Sequence, residues 1–240
     1  VLACLSALHL AAAPATAQGG AVAPAVALVP DLSRLIARRD SLVAYDAAGP
    51  AGYLVIAWGR TADGGVRYAE TVAVPDVLDY VAVVRLDADG RMRRALVNGQ
   101  AGDVDLALDL AWDAAGGVRG VASRPTPRGA RLVAVDTALA PDVLDVNAVL
   151  AVLPAIPWAA DTRGTLAVLR APDGVVPLVV RVAGRERLPL EGASVDAWRI
   201  EVVDAGRRTT YHVAASGPPA VLRIATDGAP LRFERAAPPD

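Results

Sequence analysis

The sequence predicts a mainly β protein: a large curled antiparallel sheet, or incomplete barrel, with one amphipathic helix packed on it. Three observations carry this expectation. Short Val-rich runs recur along the chain, Gly-containing dipeptides separate most of them, and only one stretch shows helical spacing.

After a loose stretch to Pro30, "DLSRLIARRDSLVAYDA" opens the ordered region, with a helical turn expected at 31–38 and a strand from Leu42. Strands then follow at 53–60, 66–74, 80–86, 91–98, 103–113, 118–123 and 131–136. Turns are expected at Asp63-Gly64-Gly65, Asp89-Gly90, Asn98-Gly99 and Gly116-Gly117, where glycine supplies the positive φ of a tight hairpin. In "PDVLDVNAVLAVLPAIPW" (141–158), Pro141 and Asp142 suit a helix start. Val146, Val149, Leu150 and Leu153 recur at helical spacing, and Pro154 ends the run, so a helix is expected over 142–153. A second series of strands is expected at 165–171, 175–183, 195–204, 207–214, 220–226 and 230–235. Connections this short make neighbouring strands antiparallel.

The expected organisation is a signal peptide at 1–17, a loose segment at 18–30 and one β-rich domain at 31–240, divisible into halves 31–140 and 141–240. The leader rests on an apolar run ending in Ala15-Thr16-Ala17, the small-x-small pattern that signal peptidase cleaves. Export to the periplasm or beyond follows as an expectation. "VLAC" at the start resembles a lipobox, so lipid anchoring at Cys4 in the envelope is the alternative.

Composition excludes several chemistries. All 24 basic residues are Arg, so no Schiff-base or phosphate-loop lysine exists. A net charge of −2 supplies no basic field for nucleic acid. Cys4 is the single cysteine, and beyond the leader His212 is the single histidine, which leaves no thiolate or multi-histidine metal site. No cofactor and no metal are expected. No integral membrane span is expected either, the leader run being too short for one. On 103–112, Val104, Leu106, Leu108, Leu110 and Trp112 share one face and Asp103, Asp105 and Asp109 the other, which reads as a solvated acidic face.

His212 is the natural candidate for a catalytic base. A two-residue loop at Ala205-Gly206 sets Trp198 opposite Val213, Ile200 opposite Tyr211 and Val202 opposite Thr209, which gathers the apolar groups on one face. Arg199 then lies opposite His212 and lowers its basicity, so His212 is expected on an exposed polar face as a poor base. The serines occur in no nucleophile-elbow or S-x-x-K context. No catalytic residue is assigned.

From "RRDSLVAYD" onward, and most clearly in "LDVNAVLAVLPAIPW", "VAGRERLPLEGASVDAWRIEV" and "TTYHVAASGPPAVLRIATDGAPLRFER", the chain resembles an uncharacterised exported bacterial family, a domain of unknown function with a curled antiparallel sheet. Its architecture is similar to that of the periplasmic lipoprotein carriers, which shelter an acyl chain between a curved sheet and a helix. The resemblance implies an envelope protein that binds a lipid or another hydrophobic small molecule between sheet and helix. Trp58, Trp112, Val149, Leu153, Trp158 and Trp198 would line such a cavity, their rings offering apolar area with a polar edge, or would simply fill the core, since apolar stripes are more often packed than empty. The alternatives are a structural or protein-interaction scaffold whose partner is an envelope protein, revealed by an exposed apolar patch or strand edge, and a carboxylate-dependent hydrolase, revealed by two acids converging in a cleft.

Overall fold

The computed structural model describes residues 26–237. The leader, Cys4 and most of the loose segment therefore lie outside the described residues.

The fold is mainly β, as the sequence predicts. The strands are β1 (Arg38–Tyr45), β2 (Pro50–Arg60), β3 (Val66–Val74), β4 (Leu78–Leu86), β5 (Met92–Ala101), β6 (Val104–Trp112), β7 (Gly117–Thr126), β8 (Gly129–Ala138), β9 (Leu144–Asp145), β10 (Arg163–Arg170), β11 (Gly174–Leu190), β12 (Ala193–Asp204), β13 (Arg207–Ala214), β14 (Val221–Thr226) and β15 (Arg232–Glu234). They form one 15-stranded sheet in the order β8-β7-β6-β5-β4-β3-β2-β1-β15-β14-β13-β12-β11-β10-β9. The two halves of the chain thus meet where β1 pairs β15, and β8 and β9 stand at the two ends of an unclosed sheet. Arg124 of β7, next to one end of the sheet, donates to Asp173, in the turn between β10 and β11 near the other end, at 3.1 Å.

Alternation builds the core. In β3 and β4 every second residue is buried, so Val66, Tyr68, Val72, Val84 and Leu86 line the interior while their neighbours face outward. Into this interior runs residues 146–155, here termed the plug: a 3₁₀ turn Val146–Ala148, an α-helical turn α1 (Val149–Val152) and a 3₁₀ turn Leu153–Ala155. It is shorter and later than the helix expected over 142–153. The cap is Asp145, whose carboxylate accepts from the Asn147 backbone N–H, and not Asp142, and the segment before it forms β9, parallel to β10. Every residue of the plug is buried, so its apolar character runs all round rather than along one face.

Three further expectations need correction. Asn98-Gly99 is not a turn but the interior of β5, and the chain reverses instead at Gly102-Asp103. Gly99 sits at φ +153°, and a Cβ there would stand 2.1 Å from the Asp79 carbonyl, so the glycine marks a close backbone approach between β4 and β5. At the other end, Val26–Leu28 is ordered: Leu28 N–H donates to the Thr165 carbonyl and Thr165 N–H to that of Val26. The helical turn expected at 31–38 shrinks to Leu32–Arg34, capped by Asp31.

Candidate functional site

The β12–β13 hairpin adopts the predicted register: Trp198 opposes Val213, Arg199 His212, Ile200 Tyr211 and Val202 Thr209. His212, however, is buried, only 5% exposed, rather than set on the open polar face that the sequence suggests. The reason lies in β11. It is bulged between Val182 and Gly184, and beyond the bulge Glu186 reaches across so that its carboxylate meets His212 Nε2. Arg223 of β14 lies on the far side of His212, continuing the row that Arg199 begins. Burial lowers the basicity of the imidazole, Glu186 opposes that shift, and Arg223 and Arg199 add to it. The expected direction is right; its main cause is desolvation.

Of the six residues expected to line a cavity, Trp58, Trp112, Val149 and Leu153 belong to the main core, and Trp158 and Trp198 pack against it. Val149 and Leu153 are at most 1% exposed. The Trp58 indole N–H donates to the Ala151 carbonyl at 3.1 Å, and the Trp158 N–H to the Leu153 carbonyl at 3.0 Å, so both rings clamp the plug to its surroundings. Trp58 also packs against Tyr68, with centroids 5.5 Å apart and tilted by 59°. Trp112 is 9% exposed, and its indole nitrogen is buried with no hydrogen-bond partner among the described residues. Trp198 packs at the margin of the core beneath the Arg185 guanidinium, 5.5 Å from the ring centre.

The interior also holds acids. Glu70, 1% exposed, accepts from the Tyr68 hydroxyl at 2.6 Å and the Tyr80 hydroxyl at 2.5 Å. Burial foremost, and then the Glu70 charge, raise the pKa values of Tyr68 and Tyr211, so these phenols stay protonated. The sequence carries a signal for this site: in "VRYAETVAV" Glu70 falls on the face shared by Val66, Tyr68, Val72 and Val74, where a carboxylate needs donors. Asp145 is equally buried. One of its oxygens accepts from Asn147 while the other has no partner among the described residues, and burial raises its pKa to about 6. These acids are enclosed in the core rather than set in an open cleft. Among the described residues, no group of three or more His, Cys, Asp and Glu side chains is placed to hold a metal ion, and no helix is long and apolar enough to cross a membrane.

An open apolar surface lies on the other side of the sheet. A groove of about 390 Å³ crosses β4 to β8, lined by Val81, Val83, Leu96, Val121 and Leu132, with Asp109 beside them. Val81 is 46% exposed, Val121 38% and Leu132 63%. Its outer end is β8, which pairs with β7 on one side and ends the sheet on the other. In the sequence Leu132 and Val121 stand out only as strand residues, because two-period alternation identifies faces and does not show which apolar residue on the polar face has apolar neighbours across the strands.

No family model matches the chain, and no curated protein matches it. Among solved structures it is similar to the crystal structure of a beta-barrel-like protein of a domain of unknown function, DUF1849, from Brucella abortus, with a TM-score of 0.46 and 14% sequence identity, covering 84% of this chain and 95% of that one.

Proposed function

We propose that the protein is an exported binding module of the cell envelope that holds a protein partner on the outer face of its sheet. One contrast carries the reading: the helical plug is itself buried on all sides and clamped by two indoles inside the sheet, where a carrier would shelter its ligand, whereas a groove of about 390 Å³ stands open across β4–β8. Exposed Val and Leu side chains gathered beside an unpaired edge strand are the features by which an interaction surface differs from ordinary surface. Arg131 and Asp136 on β8 supply charge that discourages indiscriminate edge-to-edge pairing.

A photo-crosslinking amino acid in place of Leu132, expressed in the native envelope, tests the reading. Adducts with one discrete protein species are expected, and they should vanish when Val121→Asp is added. Adducts with lipid alone would overturn it. So would an acyl species that co-purifies without detergent and raises the unfolding temperature, since that would return the ligand to the interior.

A further inference from the structure

Charged side chains flank the groove in an ordered way. The strand registers lay the outer face out in rows that cross the sheet. One row runs Arg67, Arg85, Arg94, Ala111, Arg119 and Asp136 across β3 to β8, each residue directly opposite the next. Two residues along each strand comes the groove, with Val83, Leu96, Asp109 and Val121 in one row and Val81, Asn98 and Ala107 in the next. Two residues further lies a row running Asp79, Gln100 and Asp105. The groove thus has a mainly apolar floor that also carries Asp109 and Asn98, with an arginine-rich row on one side and Asp79 and Asp105 on the other.

Arginines directly opposite on neighbouring strands repel each other. Arg85, Arg94 and Arg119 are partly compensated by Asp63, Asp109 and Asp136, at 2.7, 3.1 and 3.5 Å, but all three pairs are solvated and weak. A row in which four arginines outnumber one aspartate, beside exposed apolar side chains, is relieved by a partner that brings carboxylates along its length.

We propose that the groove receives a short amphipathic helix of another protein, with an apolar stripe on the floor, acidic side chains toward the arginine row and basic side chains toward Asp79 and Asp105. The inference rests on the outer face being the binding surface and adds the form of the partner. One apolar floor and two oppositely charged flanks decide between the candidate occupants. An extended peptide presents two faces, whereas a helix presents a stripe and two separate flanks. A single-headed amphiphile carries its charge at one end, and the arginines are spread along the groove. An anionic membrane would be repelled by the acidic flank. Length agrees: four strand gaps span roughly 19 Å, the rise of about 13 helical residues. Opposite flank charges also fix the direction in which the helix lies.

The test uses the protein and three synthetic, fluorescently labelled helical peptides of about 14 residues that share one apolar stripe. The first has Glu on one flank and Lys on the other, the second Lys on both, the third Glu on both. The mixed peptide should bind at least about tenfold more tightly than either other, a difference of about 1.4 kcal/mol, with amide chemical-shift changes confined to β4–β8. Leu132→Glu should weaken it by a similar factor. The double variant Arg85→Glu, Arg94→Glu should shift the preference to the all-Lys peptide. Side chains 85 and 94 are about half exposed, so the folded state should survive, as an unchanged circular dichroism spectrum would verify. Equal affinity for the three peptides, no binding up to roughly 1 mM, or shift changes elsewhere would overturn the helix proposal. If Leu132 still gave a discrete protein adduct in the envelope, the binding-module reading would stand and only the form of the partner would fall.

Discussion

Ala205 shows at the scale of one residue how a correct register can carry local strain. It occupies φ +47°, beside Gly206 at +84°, the pair of positive values that a two-residue hairpin loop of the right twist demands. An L-residue with a Cβ is disfavoured there, whereas Asn tolerates the conformation and Gly adopts it freely. Ala205→Asn should therefore raise stability by about 0.5–1 kcal/mol in urea unfolding, with the slope unchanged; a loss of stability would show that Ala205 is held by contacts rather than strained. The pairing of Arg199 with His212 was legible in the sequence because only that register keeps Trp198, Ile200 and Val202 on one face. The burial of His212 was not. It depends on Glu186, two strands away on β11 and beyond the bulge at Gly184, and strand alternation says nothing about where a bulge will bend a long strand.

At the scale of the element, β3 and β13 have the bounds their alternation gives, 66–74 and 207–214, because each has one face in the core and hydrophilic or small residues on the other. Local rules fail where tertiary contact overrides them. Asn98-Gly99 has the composition of a hairpin turn, yet the same glycine serves a strand where the β4 backbone comes too close for any side chain. Gly99→Ala should cost more than about 2 kcal/mol, combining a disfavoured φ with a clash against backbone that cannot rotate away. A thermal shift of less than a few degrees would mean that β4 and β5 can separate without penalty. The plug illustrates the converse. Its apolar spacing announces a helix, but a segment buried on all sides has no polar face to mark its ends, so its start is set by Asp145 rather than by the Pro141-Asp142 pair.

At the scale of the molecule, the buried interior makes stability depend on pH through two groups of opposite sign. Asp145 has its pKa raised from 3.8 to about 6, so the folded protein holds a proton that the unfolded chain has lost across that window. Its contribution favours the folded state as pH falls from 6 toward 4 and is lost as pH rises through 6, by at most about 3 kcal/mol. His212 has its pKa depressed below 6.5, mainly by burial, so the unfolded chain binds the extra proton. Its contribution is fully present above 6.5 and is lost as pH falls toward its folded value. The two effects oppose each other across the acid range where they overlap, and single variants should separate them. Asp145→Asn keeps an oxygen to accept from the Asn147 backbone N–H and removes the titration, so its stability relative to the parent should rise with pH between 4 and 7. His212→Gln removes the other effect, and its stability relative to the parent should fall over the same range as the parent's histidine loses its proton in the unfolded chain. Chemical denaturation at half-unit steps from pH 4 to 7 reads both differences. If the Asp145→Asn curve ran parallel to the parent's, the carboxylate capping the plug would not change its protonation on unfolding in this range, and the closed interior would owe nothing to its proton.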